Sequence, residues 1–132
     1  MKKAAGFTLL ELLVVLILLG LAVGMVAPNA SRWLDAAQAR GWRADLKAHL
    51  ETLPVRAFLA GEALVIDAEQ LRKAVPGPAD VQLRIKVPLR YGASGMAVGG
   101  ALEVRQGGHW EVWRIRPISG VVDIEADNAR NK

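Results

Sequence analysis

Residues 7–27 span twenty-one positions and carry a single charge, Glu11. As an α-helix rising about 1.5 Å per residue, the run reaches roughly 31 Å, close to the hydrocarbon thickness of a bilayer. A helix apolar on every side needs lipid or a large partner, so a simple cytosolic globule is ruled out. After residue 27 about a hundred residues remain, enough for one small domain with a modest core. Lys2 and Lys3 precede the run, so the positive-inside rule leaves the N-terminus in the cytoplasm and carries the remainder across the membrane.

A cleaved secretory signal also begins with basic residues and an apolar stretch. This run is longer than the roughly 7–15 residues of a typical signal core, and the small-x-small exits near its end lead into Pro28. Glu11 carries more information. An ionised carboxylate costs about 2.5–3.5 kcal/mol at the centre of a membrane helix and less near an end. Four residues after Phe7, Glu11 lies shallow but inside the run, and nothing downstream in the run supplies a compensating positive charge. A free α-amine created by cleavage before Phe7 would supply one, on the same chain or on a neighbour packed beside it. The alternative is a carboxylate that snorkels to the headgroups.

The stretch Lys2-Lys3-Ala4-Ala5-Gly6-Phe7-Thr8-Leu9-Leu10-Glu11, followed by an apolar helix, resembles the N-terminal signature of the type IV pilin and pseudopilin superfamily. The match includes a short basic leader, Gly at the cleavage point, Phe after it and Glu at the fifth mature position. Pro28 falls where pilins often carry a helix-bending proline. The resemblance implies that a prepilin peptidase removes residues 1–6 by cutting between Gly6 and Phe7 and methylates the new amine of Phe7. It implies further that residues 7–27 hold the subunit in the inner membrane until it enters a helical filament, where Glu11 pairs with a neighbour's terminal amine.

After Pro28, helical spacing returns. Ala39, Trp42, Leu46, Leu50 and Leu53 fall on one face, with Arg40, Arg43, Asp45, Lys47 and Glu51 on the others. Pro28 removes one backbone donor and kinks or locally melts the helix rather than ending it. The pattern predicts one helix from Phe7 to about Leu53, its second part (28–53) amphipathic, with Pro54 as the stop. Residues 54–132 form the head. Within it, residues 63–66 read as a short strand, Asp67 and Gln70 as a capping box, and Pro76-Gly77-Pro78 as the end of the short helix that follows. Val81, Leu83, Ile85 and Val87 alternate with polar residues as the buried face of a strand. Residues 101–106, 109–116 and 121–125 are further strand candidates, joined by turns at Gly107-Gly108 and at Pro117 to Gly120. Residues 127–132 read as a frayed polar tail. The fold class expected is α+β, a long helix packed on an antiparallel sheet, as in the pilin architecture.

Chemistry-bearing constellations are sparse. Cysteine is absent, which excludes disulfide staples, thiol catalysis and thiolate metal sites. His49 and His109 are isolated, and no nucleophile elbow or metal-binding His pair is present, so an enzyme is not expected. Asp123, Glu125 and Asp127 alternate along a strand, whereas calcium needs ligands wrapped by a loop, so neither a metal nor a cofactor is expected. A rival reading is DNA capture. Arg84, Lys86, Arg90, Arg105, Arg114 and Arg116 lie on or beside the expected sheet, and Tyr91, Trp110 and Trp113 offer stacking surfaces. Against nucleic acid stand Glu103 and Glu111 on the same strands and a formal net charge of only +4. The odd spacing of Trp110 and Trp113 sends them to opposite sides of their strand, so at least one belongs to the core.

Residues 88–100, with Trp113 to Arg116 and Pro117 to Val122, are similar to the C-terminal half of the H-type minor pseudopilins of type II secretion. The shared features are an apolar-rich strand, a Gly-containing loop, the Gly99-Gly100 step and a final Pro-x-x-Gly turn. This resemblance implies a structural subunit of the pseudopilus that supports protein export. Its partners would be other pseudopilins, the prepilin peptidase, the inner membrane and exported proteins, with the head in the periplasm. A minor type IV pilin for pilus assembly, adhesion or DNA uptake is the alternative.

Overall fold

The computed structural model describes residues 6–127. Readings made on Lys2, Lys3, Ala4 and Ala5, and on the tail from residue 128 onward, lie outside the described residues. The elements are α1 (Leu9–Ala60), β1 (Leu64–Ile66), α2 (Ala68–Ala74), β2 (Gln82–Tyr91), β3 (Ala97–Gln106), β4 (His109–Ile115) and β5 (Val122–Ala126). The chain divides into two units, one ending at Ala37 and the other beginning at Gln38.

In the first unit the side chains of residues 6–25 are all exposed, and the helical backbone continues through Pro28. Among the described residues α1 is one helix long and apolar enough to cross a membrane, and none of its most apolar eighteen-residue window is buried within the chain. Nothing in this unit offers those side chains a core, and burying each Leu or Ile is worth about 1.5–3 kcal/mol.

In the second unit, five strands form an antiparallel meander in the order β1-β2-β3-β4-β5. The α1 face picked out by helical spacing is buried there: Trp42, Leu46, Leu50 and Leu53 are each at most 5% exposed, and Ala57 extends the face by another turn. These residues share one core with Leu83, Leu89, Tyr91, Leu102, Val104, Trp113, Ile115 and Val122 from the sheet and Leu71 from α2. The Asp67–Gln70 capping box is present in both directions and starts α2, which ends before Pro76. Gly107 and Gly108 both take positive φ and close the β3–β4 hairpin tightly. At the next turn the Ser119 N–H reaches the Pro117 carbonyl at 2.8 Å. That γ-turn holds Ile118 at φ 70°, a conformation β-branched residues rarely adopt.

Four local expectations are corrected. Pro54 does not stop α1, which runs on to Ala60. A helix-interior proline leaves the carbonyl four residues earlier without its donor. Here that carbonyl belongs to Leu50, and the buried Tyr91 hydroxyl donates to it at 3.5 Å. Val87 does not continue the buried face of its strand: it is 50% exposed. The register slips between Ile85, opposite Leu102, and Val87, opposite Ala101, and burial resumes at Leu89 and Tyr91. The third strand begins at Ala97 rather than at 101, because Gly99-Gly100 lies inside it. A Cβ on Gly100 would come within 2.8 Å of the Leu89 Cα and 2.9 Å of the Pro88 carbonyl, so the absence of a side chain is what lets β3 approach β2 there. Finally, Asp127 is tied down, its N–H donating to the Trp110 carbonyl at 3.0 Å.

The Tyr91 bond has a pH signature. Burial pushes the Tyr91 hydroxyl up to about 12. The folded state therefore holds that proton more tightly than the unfolded chain, where a tyrosine titrates near 10. Stability from the protonated phenol is fully present below about pH 10 and is lost as pH rises through about 12. Replacing Tyr91 with Phe is expected to cost about 1 kcal/mol at neutral pH, by orphaning the Leu50 carbonyl. It is also expected to flatten the alkaline decline in thermal stability, and an equally steep decline in Tyr91→Phe would contradict this assignment.

Candidate functional site

The start of α1 is built by Thr8. Its hydroxyl oxygen accepts the Glu11 backbone N–H at 3.2 Å, and its carbonyl accepts the Leu12 N–H at 3.2 Å. Thr8 is thus the N-cap, which puts Glu11 at the third helical position, in the first turn. A carboxylate there faces the positive end of the helix dipole. Residues 6–8 precede the helix, and both Gly6 and Phe7 are exposed, Phe7 at 80%. The Gly6–Phe7 peptide bond therefore lies in non-helical, accessible backbone, the form a peptidase can bind. Thr8 was not singled out from the sequence, although Thr8-x-x-Glu11 has the same capping spacing as Asp67-x-x-Gln70.

The sheet's candidate nucleic-acid residues are split between its two faces. Tyr91 is 1% exposed and Trp113 fully buried, so neither offers a ring to a base. Trp110 lies on the opposite face of β4 from Trp113, as the odd spacing requires. Its ring is already occupied by the guanidinium groups of Arg84 at 5.1 Å and Arg105 at 5.9 Å. Three other cations meet acids: Lys86 with Glu103 at 3.1 Å, Arg114 with Glu125 at 3.7 Å and Arg116 with Asp123 at 2.9 Å. Glu103 is only 4% exposed. Arg90 is exposed. The result is a face of mixed sign, which gives the phosphate backbone little net attraction.

Asp123 and Glu125 spend their carboxylates on those arginines rather than on a shared centre. His49, half-buried on α1, has its pKa lowered by burial and by the nearby Arg56, and His109 opens β4 on the far side of the hairpin turn. A contact that spacing could not foresee joins α1 to the sheet: Arg43 donates to Glu111 at 2.6 Å across 68 positions of sequence. The other Glu111 oxygen accepts the Trp113 indole N–H at 3.2 Å, and the Arg43 guanidinium lies 5.8 Å from the Trp113 ring. With all its members partnered, this cluster locks helix to sheet rather than presenting a reactive group.

The family model for the prokaryotic N-terminal methylation motif matches residues 1–27. No curated protein and no solved structure matches the chain. The motif is the processing signature of type IV pilin-like proteins and pseudopilins, and its match supports that superfamily for this chain. Proteins that carry it are in general structural, are substrates of prepilin peptidase and assemble with other pilin-like subunits. The α+β fold, a long N-terminal helix followed by a five-stranded antiparallel sheet, is pilin-like. The single apolar helix fits a single-pass anchor.

Proposed function

We propose that this chain is a minor pseudopilin of a type II secretion apparatus, of the H type, and that it acts by assembly rather than by catalysis. The carrying observation is the methylation motif over residues 1–27 leading into an apolar helix with no burial of its own. In this reading residues 1–6 are a leader removed between Gly6 and Phe7, and Phe7 is then N-methylated. Residues 7–27 cross the inner membrane with the N-terminus cytoplasmic, Pro28 bends the helix, residues 28–53 are its amphipathic continuation, and the head stands in the periplasm. Glu11 registers the subunit against a neighbour's terminal amine. The partners are major and minor pseudopilins, with exported proteins met by the head.

The H-type assignment is supported by the Gly-containing turn at residues 92–95, the Gly99-Gly100 step inside β3, and the Pro117 to Gly120 turn that leads into β5. DNA capture is disfavoured by the buried Tyr91 and Trp113 and by the mixed charges of the sheet. The test is a clean deletion in the source organism, scoring secreted hydrolase activity beside twitching motility and transformation. Secretion is expected to be lost with motility intact. Intact secretion with lost motility or DNA uptake would instead make the chain a minor type IV pilin, and Arg84, Arg90 and Arg114 the next residues to change.

A further inference from the structure

We infer that Trp33 and Arg32 are the second interfacial anchor of the membrane helix, seated among phospholipid headgroups at the opposite end from Phe7. The inference rests on the membrane-anchored reading of α1 and adds where its embedded part ends. Phe7 and Trp33 are the only aromatic residues before Trp42, and each is 80% exposed. Twenty-four helical steps separate Leu9 from Trp33, a rise of about 36 Å, and Phe7 stands two residues before Leu9. The hydrocarbon layer is about 30 Å thick and about 40–45 Å with its polar interfaces. Two exposed aromatics at that spacing fall one at each interface, where Trp is enriched because its ring is apolar and its indole N–H polar.

The flanking residues agree. Leu34, beside Trp33, is 60% exposed and continues the apolar surface. Arg32 carries a long apolar stem and a guanidinium suited to phosphate, and both fit the boundary between acyl chains and headgroups. Asp35 follows, and no position of α1 after it matches the run of apolar exposure before it until the helix meets its own core at Trp42. Depth is therefore set near residues 32–34, past the end of the uninterrupted apolar run at 27. Ser31 falls within the interface rather than in open water.

The test uses the full chain reconstituted in phosphatidylcholine–phosphatidylglycerol vesicles carrying lipids brominated either near the headgroup or deep in the acyl chain. Comparison with Trp33→Phe isolates the Trp33 emission, since Trp42, Trp110 and Trp113 are common to both. The Trp33 component is expected to be quenched about twofold or more by the shallow bromines and distinctly less by the deep ones, as for an interfacial indole. Arg32→Gln is expected to reduce the shallow quenching in vesicles containing phosphatidylglycerol. Trp33 emission unquenched by either lipid, or quenched more by the deep one, overturns the anchor while leaving the membrane helix standing. Failure of the chain to float with the vesicles overturns the membrane reading itself.

Discussion

Replacing Glu11 with Ala is expected to leave the protein processed, methylated and membrane-bound, yet to lower its incorporation into filaments by about tenfold or more. The direction of the insertion energy makes this discriminating. Removing a carboxylate from an apolar helix relieves a cost of up to about 2.5–3.5 kcal/mol, so the variant sits in lipid at least as well as the native chain. Lost incorporation cannot then be blamed on lost insertion. On the pairing proposed for Glu11, what the substitution removes is attraction to a neighbour's terminal amine in a low-dielectric setting, and each 1.4 kcal/mol of that attraction is about tenfold in an equilibrium. Glu11→Gln keeps the size and polarity and is expected to fail similarly, which separates charge pairing from simple hydrogen bonding. Quantifying the variant in sheared filament fractions against the membrane fraction gives the answer. Native-level incorporation of Glu11→Ala would sink the pairing role.

Trp113→Ala is expected to destabilise the head by about 3–5 kcal/mol, the usual range for a large aromatic removed from a packed core. Trp113 is the largest of the fully buried side chains. Its loss also takes the indole donor from Glu111 and the ring from beside Arg43, so a partnered polar cluster is left partly unsatisfied. Domains are stable by only about 5–15 kcal/mol in total, so much of the head is expected to unfold near its working temperature. Trp33→Ala provides the contrast: that side chain is 80% exposed and lies in the other unit, and its loss is expected to change head stability by no more than about 0.5 kcal/mol. Thermal melts of both variants in detergent, followed by the β-sheet signal in circular dichroism, measure the difference. Equal melting of Trp113→Ala and the native chain would contradict the core described here.

Periodic features were legible in the sequence, and features set by tertiary contact were not. The face from Trp42 to Leu53 was visible because burial against a sheet imposes a 3.6-residue period, and the structure extends that face to Ala57. The Asp67 capping box and the Gly107-Gly108 turn were legible because their chemistry is local. Pro54 misled because its cost is local while its compensation, the Tyr91 hydroxyl on the Leu50 carbonyl, comes from 41 positions beyond Leu50. Gly99-Gly100 misled in the same way, since glycine weakens a strand by propensity and here permits a close backbone approach. The Arg43–Glu111 pair had no sequence signal, as no spacing rule links a helix to a strand 68 residues later. At the candidate site, the motif from Gly6 to Glu11 was readable as a pattern of residue types. Thr8 as N-cap is carried by the Thr-x-x-Glu spacing, a local signal in the sequence.

Processing at Gly6–Phe7 is the step from which the proposed membrane anchoring and assembly follow. The most direct measurement is the intact mass and N-terminal sequence of the chain purified from membranes of cells that contain a prepilin peptidase. Gly6→Trp serves as a variant expected to resist the peptidase. The native chain is expected to begin at Phe7, heavier by one methyl group on its amine, while Gly6→Trp keeps its leader and begins at Met1. A native chain that still begins at Met1, or one cut after the apolar run near residue 27, would contradict the account.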